Sequence, residues 1–243
     1  MQARSVLYKV IALNLLAIIA TVAISSPFGK TYRQFEDGGF ITYFSVIQLF
    51  ILSRFTYKIF KTRSQAVKFP WRSIVAIWGI FSLGFSFLAL DDLLMIHEFF
   101  DASIHDIWRL QETNLSDRLD DAIICLYGLL ALGACVAYRQ ELKKYAVALP
   151  LAITAFALLF IMIGIDALTN RDDVLLTLFS PERVVDIQSW IFILEDGCKL
   201  LSEAFFIVAV HRCLQIARQL TPIPQDNGSR ALSETWNRNS QYK

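Results

Sequence analysis

Apolar residues in this chain gather into long runs with polar stretches between them, and neither period-two alternation nor a fine amphipathic repeat organises the sequence. The runs cover 6–24, 40–60, 74–94, 122–138, 146–168 and 190–210. Each is close to the roughly 20 residues that an α-helix needs to cross a bilayer. Helices are favoured over strands because an open strand leaves backbone groups unsatisfied in lipid. The expected fold class is therefore all-α, an integral membrane bundle of six transmembrane helices. With their polar flanks, the helices are placed at about 6–26, 38–61, 71–100, 119–138, 146–168 and 181–218, in one domain over 1–218. Pro222, Pro224, Asn227 and Gly228 mark 219–243 as a disordered cytoplasmic tail. The first run follows Arg4 and Lys9 as a signal peptide would, but it is longer than a cleavable core, so it is read as a retained helix.

Two connecting stretches carry helical signals of their own. In 102–110, Ile104, Ile107 and Trp108 have the spacing of a short helix lying on the membrane surface. Ser180 followed by Pro181 resembles a helix N-cap and first turn, so the last helix should begin well before its apolar run and continue through Glu195.

Composition supports a membrane protein: 55% of the 243 residues are hydrophobic and the mean hydropathy is +0.47. The net charge of +1 hides a polarised molecule. Arg54, Lys58, Lys61, Arg63, Lys68 and Arg72 lie between helices 2 and 3, and Arg139, Lys143 and Lys144 outnumber Glu141 between helices 4 and 5. The opposite connections, 91–121 and 166–196, are rich in Asp and Glu. The positive-inside rule then puts both termini in the cytoplasm and the acidic connections on the other side of a cell (inner or plasma) membrane. Orientation and anionic lipid account for the basic loops, so membrane lipids are the expected partners and nucleic acid is not. Cys125, Cys135, Cys198 and Cys213 form no disulfide framework; a Cys125–Cys198 bridge competes with the plainer reading of buried small side chains.

Charge inside the apolar runs carries the chemistry. Glu195, Asp196, Lys199 and Glu203 interrupt the last run, and a charge at the centre of a bilayer helix costs about 2.5–3.5 kcal/mol on insertion scales. Glu203 lies eight residues before His211, about 12 Å from the cytoplasmic end of its helix. Glu195, Lys199 and Glu203 share one helix face, where Lys199 can pair with either acid. Asp91, Asp92, Asp120, Asp121 and Asp166 stand at the same membrane level on helices 3, 4 and 5. Phe35-Glu36-Asp37-Gly38, Leu119-Asp120-Asp121-Ala122 and Leu194-Glu195-Asp196-Gly197 repeat one entry motif, although acids in a first helical turn are also favoured simply by the macrodipole.

On an unbroken helix 3, Asp91 and Glu98 share a face while His97, Asp101 and His105 follow at helical spacing. Asp92, His97, Glu98, Asp121 and Glu195 then offer oxygen and nitrogen ligands for a divalent Zn, Mn or Fe ion. Lys199 and Glu203 supply the catalytic charges, and Asp91, Asp120, Asp166 and Asp196 complete the pocket.

Asp91-Asp92, then four intervening residues and His97-Glu98, together with Glu195-Asp196-Gly197, resembles a family of uncharacterised bacterial multipass membrane proteins. That resemblance implies no established activity. Three functions compete: a metal-dependent, hydrolase-like site for a lipid or small amphiphile; an ion- or proton-coupled transporter using Glu203, Lys199 and Asp166; and a non-catalytic subunit or sensor with structural ion pairs. Seven-helix ceramidase-like hydrolases bind zinc with three His, and only His97 and His105 share a side here.

Overall fold

The computed structural model describes residues 2–25, 34–35, 38–108, 119–169, 175–177 and 179–220. Glu36, Asp37 and 221–243 lie outside them. The described residues are mostly helical, with no strand among them. The order is α1 (Gln2–Ser25), α2 (Phe40–Ser64), a 3₁₀ turn (Pro70–Arg72), α3 (Ala76–Leu94), α4 (Ile96–Trp108), α5 (Leu119–Ala137) and α6 (Arg139–Leu142), then a second 3₁₀ stretch (Lys143–Ala148), α7 (Leu149–Thr169) and α8 (Pro181–Leu220). Five described helical stretches are long and apolar enough to cross a membrane, and the apolar part of α5, Ala122–Ala137, is shorter. The protein is an all-α membrane bundle.

Local chemistry sets the helix ends. Gly38, at φ +74°, turns the chain into α2 through a conformation that L side chains rarely adopt. The carbonyl of Ser180 accepts the N–H groups of Arg183 (2.9 Å) and Val184 (3.2 Å), so α8 starts at Pro181, whose missing N–H costs nothing at the first helical position. Its 40 residues rise about 60 Å, twice the hydrocarbon thickness.

The single helix expected over 71–100 is two helices. Met95, at φ 51° and ψ 47°, adopts the left-handed conformation that caps α3, its N–H bonding to the Asp91 carbonyl. Phe99 N–H then bonds to the Met95 carbonyl, and the chain restarts as α4. The short helix read in 102–110 is the second half of α4. Since the axis changes at Met95, Asp91 and Glu98 do not belong to one continuous helix face.

Packing centres on α2 and α8. α8 lies against α1, α2 and α7, while α2 makes its largest contact with α3. Leu52, Ile59, Ile77, Val208 and Ala217 are almost wholly buried where these helices meet. In lipid, van der Waals fit and interhelical hydrogen bonds hold helices together. Asn14 and Gln48 exchange side-chain bonds of 3.3 and 2.8 Å between α1 and α2. Ser53 Oγ donates to the Ser82 carbonyl (2.9 Å) and lies 2.7 Å from Ser86 Oγ, linking α2 to α3. Ser202 of α8 donates to the Ala155 carbonyl of α7 at 2.8 Å.

One end of the bundle is clamped by a buried charge. Glu141, wholly buried in α6, accepts from Arg63 Nε of α2 (3.0 Å), Lys144 Nζ (2.5 Å) and Tyr145 Oη (3.3 Å). Arg63 also reaches the Leu220 carbonyl at the end of α8 at 3.5 Å. All four cysteines are free thiols; Cys125 and Cys198 share one apolar cluster without a bridge.

Candidate functional site

The geometry is set by α5 standing partly away from the bundle. It leans on α7 and α4 and touches α3 at the edge-on Phe87–Tyr127 ring pair, 5.3 Å between centroids. A cavity of about 1450 Å³ remains among α3, α5, α7 and α8. Its walls are apolar, with Phe85, Leu88, Ala131, Phe156 and Phe206 among the lining residues. Both Trp78 and Asp92 border it, and their separation of 14 positions along α3 gives it a length of about 20 Å.

Charge collects at the Asp92 end. α8 presents Lys199 and Glu203 one turn apart on one face. Lys199 Nζ forms an ion pair with Asp92 Oδ2 of α3 at 2.9 Å. Ser45 Oγ of α2 lies 2.8 Å from Asp92 Oδ2 and 2.5 Å from Glu203 Oε1. Three helices thus meet in one hydrogen-bonded chain, Glu203–Ser45–Asp92–Lys199. Ser45 is fully buried and Glu203 is 6% exposed. The second oxygen of that carboxyl group, Oε2, is buried with no hydrogen-bond partner among the described residues.

The neighbouring acids arrange the rest of this end. Asp91 accepts the His97 backbone N–H with Oδ1 (2.9 Å) and faces His97 Nδ1 with Oδ2 (3.2 Å). One carboxylate thereby caps the start of α4 and fixes the imidazole. Glu98, Asp166, Glu195 and Asp196 line the same cavity.

The predicted site residues therefore divide into groups. Asp92, Lys199 and Glu203 come together directly, and Asp91 pairs with His97 beside them. Glu98, Asp166, Glu195 and Asp196 border the shared space. The side chains of Asp120 and Asp121, with those of Asp101 and His105, lie outside the described residues. Of the expected metal set, the described members Asp92, His97, Glu98 and Glu195 are not grouped to hold an ion, since among the described residues no three His, Cys, Asp or Glu side chains are so placed; Asp121 lies outside them. Two local facts account for this. Lys199 and Ser45 occupy the facing oxygen of Asp92, and the break at Met95 turns His97 onto Asp91.

Lys199 pairs across to α3, where the sequence offered Glu195 or Glu203 on its own helix. Ser45, which bridges the cluster, was missed. Its signal was a run of small polar residues at near-helical intervals in an apolar helix: Thr42, Ser45, Gln48, Ser53 and Thr56. All five are buried.

A family model matches residues 7–214 of this chain. The chain belongs to DUF8692. That family is described as a domain of unknown function, in keeping with the resemblance to proteins without an established activity. No curated protein and no solved structure matches this DUF8692 chain.

Proposed function

We propose that this DUF8692 protein binds an amphiphile carrying an amine head group, its apolar chain in the cavity and its head at the Asp92–Lys199–Glu203 end. One observation carries the reading: a space of about 1450 Å³ with apolar walls and a concentration of carboxylates at one end. It exceeds the roughly 300–1,000 Å³ of ordinary small-molecule pockets. Moving an alkyl chain from lipid into such walls changes little free energy, because both surroundings are apolar. Selectivity then falls to the head group, and among the described residues lining that end Asp91, Asp92, Glu98, Asp166, Glu195, Asp196 and Glu203 outnumber Lys199 and His97. A cation is favoured over an anion.

Entry is from the lipid beside α3, α5 and α7. Phe87 of α3, Leu130 of α5 and Ile153 of α7 line the cavity and are each at least 40% exposed. The basic connections orient the molecule with both termini in the cytoplasm of a cell membrane and the acidic end on the opposite side. In this reading Lys199 and Glu203 receive a head group, and their pairing with Asp92 and Ser45 favours binding over metal-assisted hydrolysis.

The test is saturable binding of radiolabelled dodecylamine to the full chain in zwitterionic nanodiscs, with dodecanol and dodecanoate as competitors. Dodecylamine should bind at least about tenfold more tightly than either, and Ala131→Phe, which fills the cavity, should weaken it by a similar factor. Equal binding of dodecanoate would remove the amine head group from the reading. Absence of saturable binding would remove the cavity as a ligand site.

A further inference from the structure

Hydrogen counting at Ser45 leads further. A serine hydroxyl carries one hydrogen and can donate to one acceptor at a time. Here two carboxyl oxygens, Asp92 Oδ2 and Glu203 Oε1, lie within hydrogen-bond distance of the same Oγ. With both carboxyls ionised, one of those contacts would hold two oxygens together with no hydrogen between them. A second hydrogen is required, and a carboxyl proton supplies it. Asp92 is not its carrier, because its Oδ2 already faces the ammonium of Lys199 at 2.9 Å and that pairing calls for a carboxylate.

Glu203 is the remaining carrier. Its Oε2 has no partner among the described residues, an arrangement tolerable for the carbonyl oxygen of a neutral acid and expensive for a carboxylate. Charge gives the same answer. Lys199 and Asp92 already cancel, so an ionised Glu203 would leave a buried net negative charge. The charged neighbours acting on it are Lys199 and Asp196 on its own helix and Asp92 from α3, while Asp91, His97, Glu98, Asp166 and Glu195 line the same cavity. α2 contributes the neutral Ser45.

We propose that Glu203 is a proton-binding site, donating through Ser45 to Asp92, and that an ammonium head group entering the cavity takes the place of this proton. The exchange balances: one ammonium enters, one proton leaves the Glu203 carboxyl for the cavity, and the charge of the cluster is unchanged. The proton assignment stands on the Ser45 geometry, whereas the exchange rests on the amphiphile reading above.

Infrared difference spectroscopy on the full chain in nanodiscs separates the two. At neutral pH the wild type should show the carbonyl stretch of a protonated carboxylic acid, and Glu203→Gln should lack it. A wild type without that band, or a band that survives Glu203→Gln and disappears in Asp92→Asn, overturns the assignment. Ser45→Ala removes the shared hydrogen bond without removing the acid, so it should shift the band and keep its amplitude; an unmoved band also overturns the relay. Saturating dodecylamine should bleach the band in the wild type. A band that persists with amine bound overturns the exchange. Failure of the amine to bind, with the band present, sinks the amphiphile reading and leaves the proton site standing.

Discussion

Replacing Lys199 with methionine keeps most of the side-chain volume and deletes the positive charge of the Asp92 pair. At the observed 2.9 Å the gross Coulomb attraction is about 6 kcal/mol for an effective dielectric of 20. Only part of that reaches net stability, since both ions had to leave water first. The Lys199 side chain is 24% exposed and that of Asp92 14%, so solvent screens the pair and the lower end of the usual 3–5 kcal/mol for breaking a buried pair applies. Lys199→Met should therefore cost about 3 kcal/mol, because Asp92 is left as an uncompensated buried charge that accepts a hydrogen bond from neutral Ser45. Adding Asp92→Asn removes that charge and should return at least half of the loss, as a buried pair replaced on both sides is often nearly neutral. The assay is reversible unfolding of the full chain in mixed micelles, with the two single variants and the double variant forming a cycle. A loss below about 1 kcal/mol for Lys199→Met, or a double variant no more stable than the single one, would refute the charge-balance reasoning.

Two further perturbations probe what positions the site. Arg63→Ala leaves the wholly buried Glu141 dependent on the more exposed Lys144, and should cost about 2–4 kcal/mol in the same unfolding assay. Arg63→Lys should recover less than half, because one guanidinium spans both Glu141 and the Leu220 carbonyl; full recovery would show that charge alone matters. At Met95, glycine removes the cost of the left-handed backbone and should be neutral or stabilising by up to about 1 kcal/mol, whereas valine should lose about 1–2 kcal/mol. A valine variant with unchanged stability would mean that the chain passes Met95 without this conformation.

Bilayer thickness made the helices legible. A run such as 146–168 has few alternatives once its backbone must satisfy itself in lipid, and the Ser180-Pro181 cap extended the last helix well before its apolar part. The break at Met95 was hidden because neither glycine nor proline marks it. What enforces it is tertiary and local at once: Asp91 reaches over the turn to cap α4, a contact that exists only after the chain has bent. The helix face that Asp91 and Glu98 were expected to share ends at that point, since the expectation took the residues of 91–98 from one straight helix.

Pairing across helices is harder to read than membrane depth, for a geometric reason. Sequence spacing fixes which residues share a face of one helix, while the rotation and height of the neighbouring helix decide which faces meet. Lys199 had two acids within one turn on α8, yet its partner is on α3 because α2 and α3 bring Ser45 and Asp92 to the depth of Lys199. The polar stripe of α2 explains why they meet there. Gln48 receives Asn14 of α1, Ser53 receives Ser82 and Ser86 of α3, and Ser45 receives Asp92 of α3 and Glu203 of α8. Each is a short polar side chain on the buried side of α2, and each bond fixes the height of one neighbour against that helix. The charged cluster is thus held at the level where the polar spine of α2 has a hydroxyl. Ser45, which carries no charge and drew no attention in the sequence, sets the geometry in which Asp92, Lys199 and Glu203 act together.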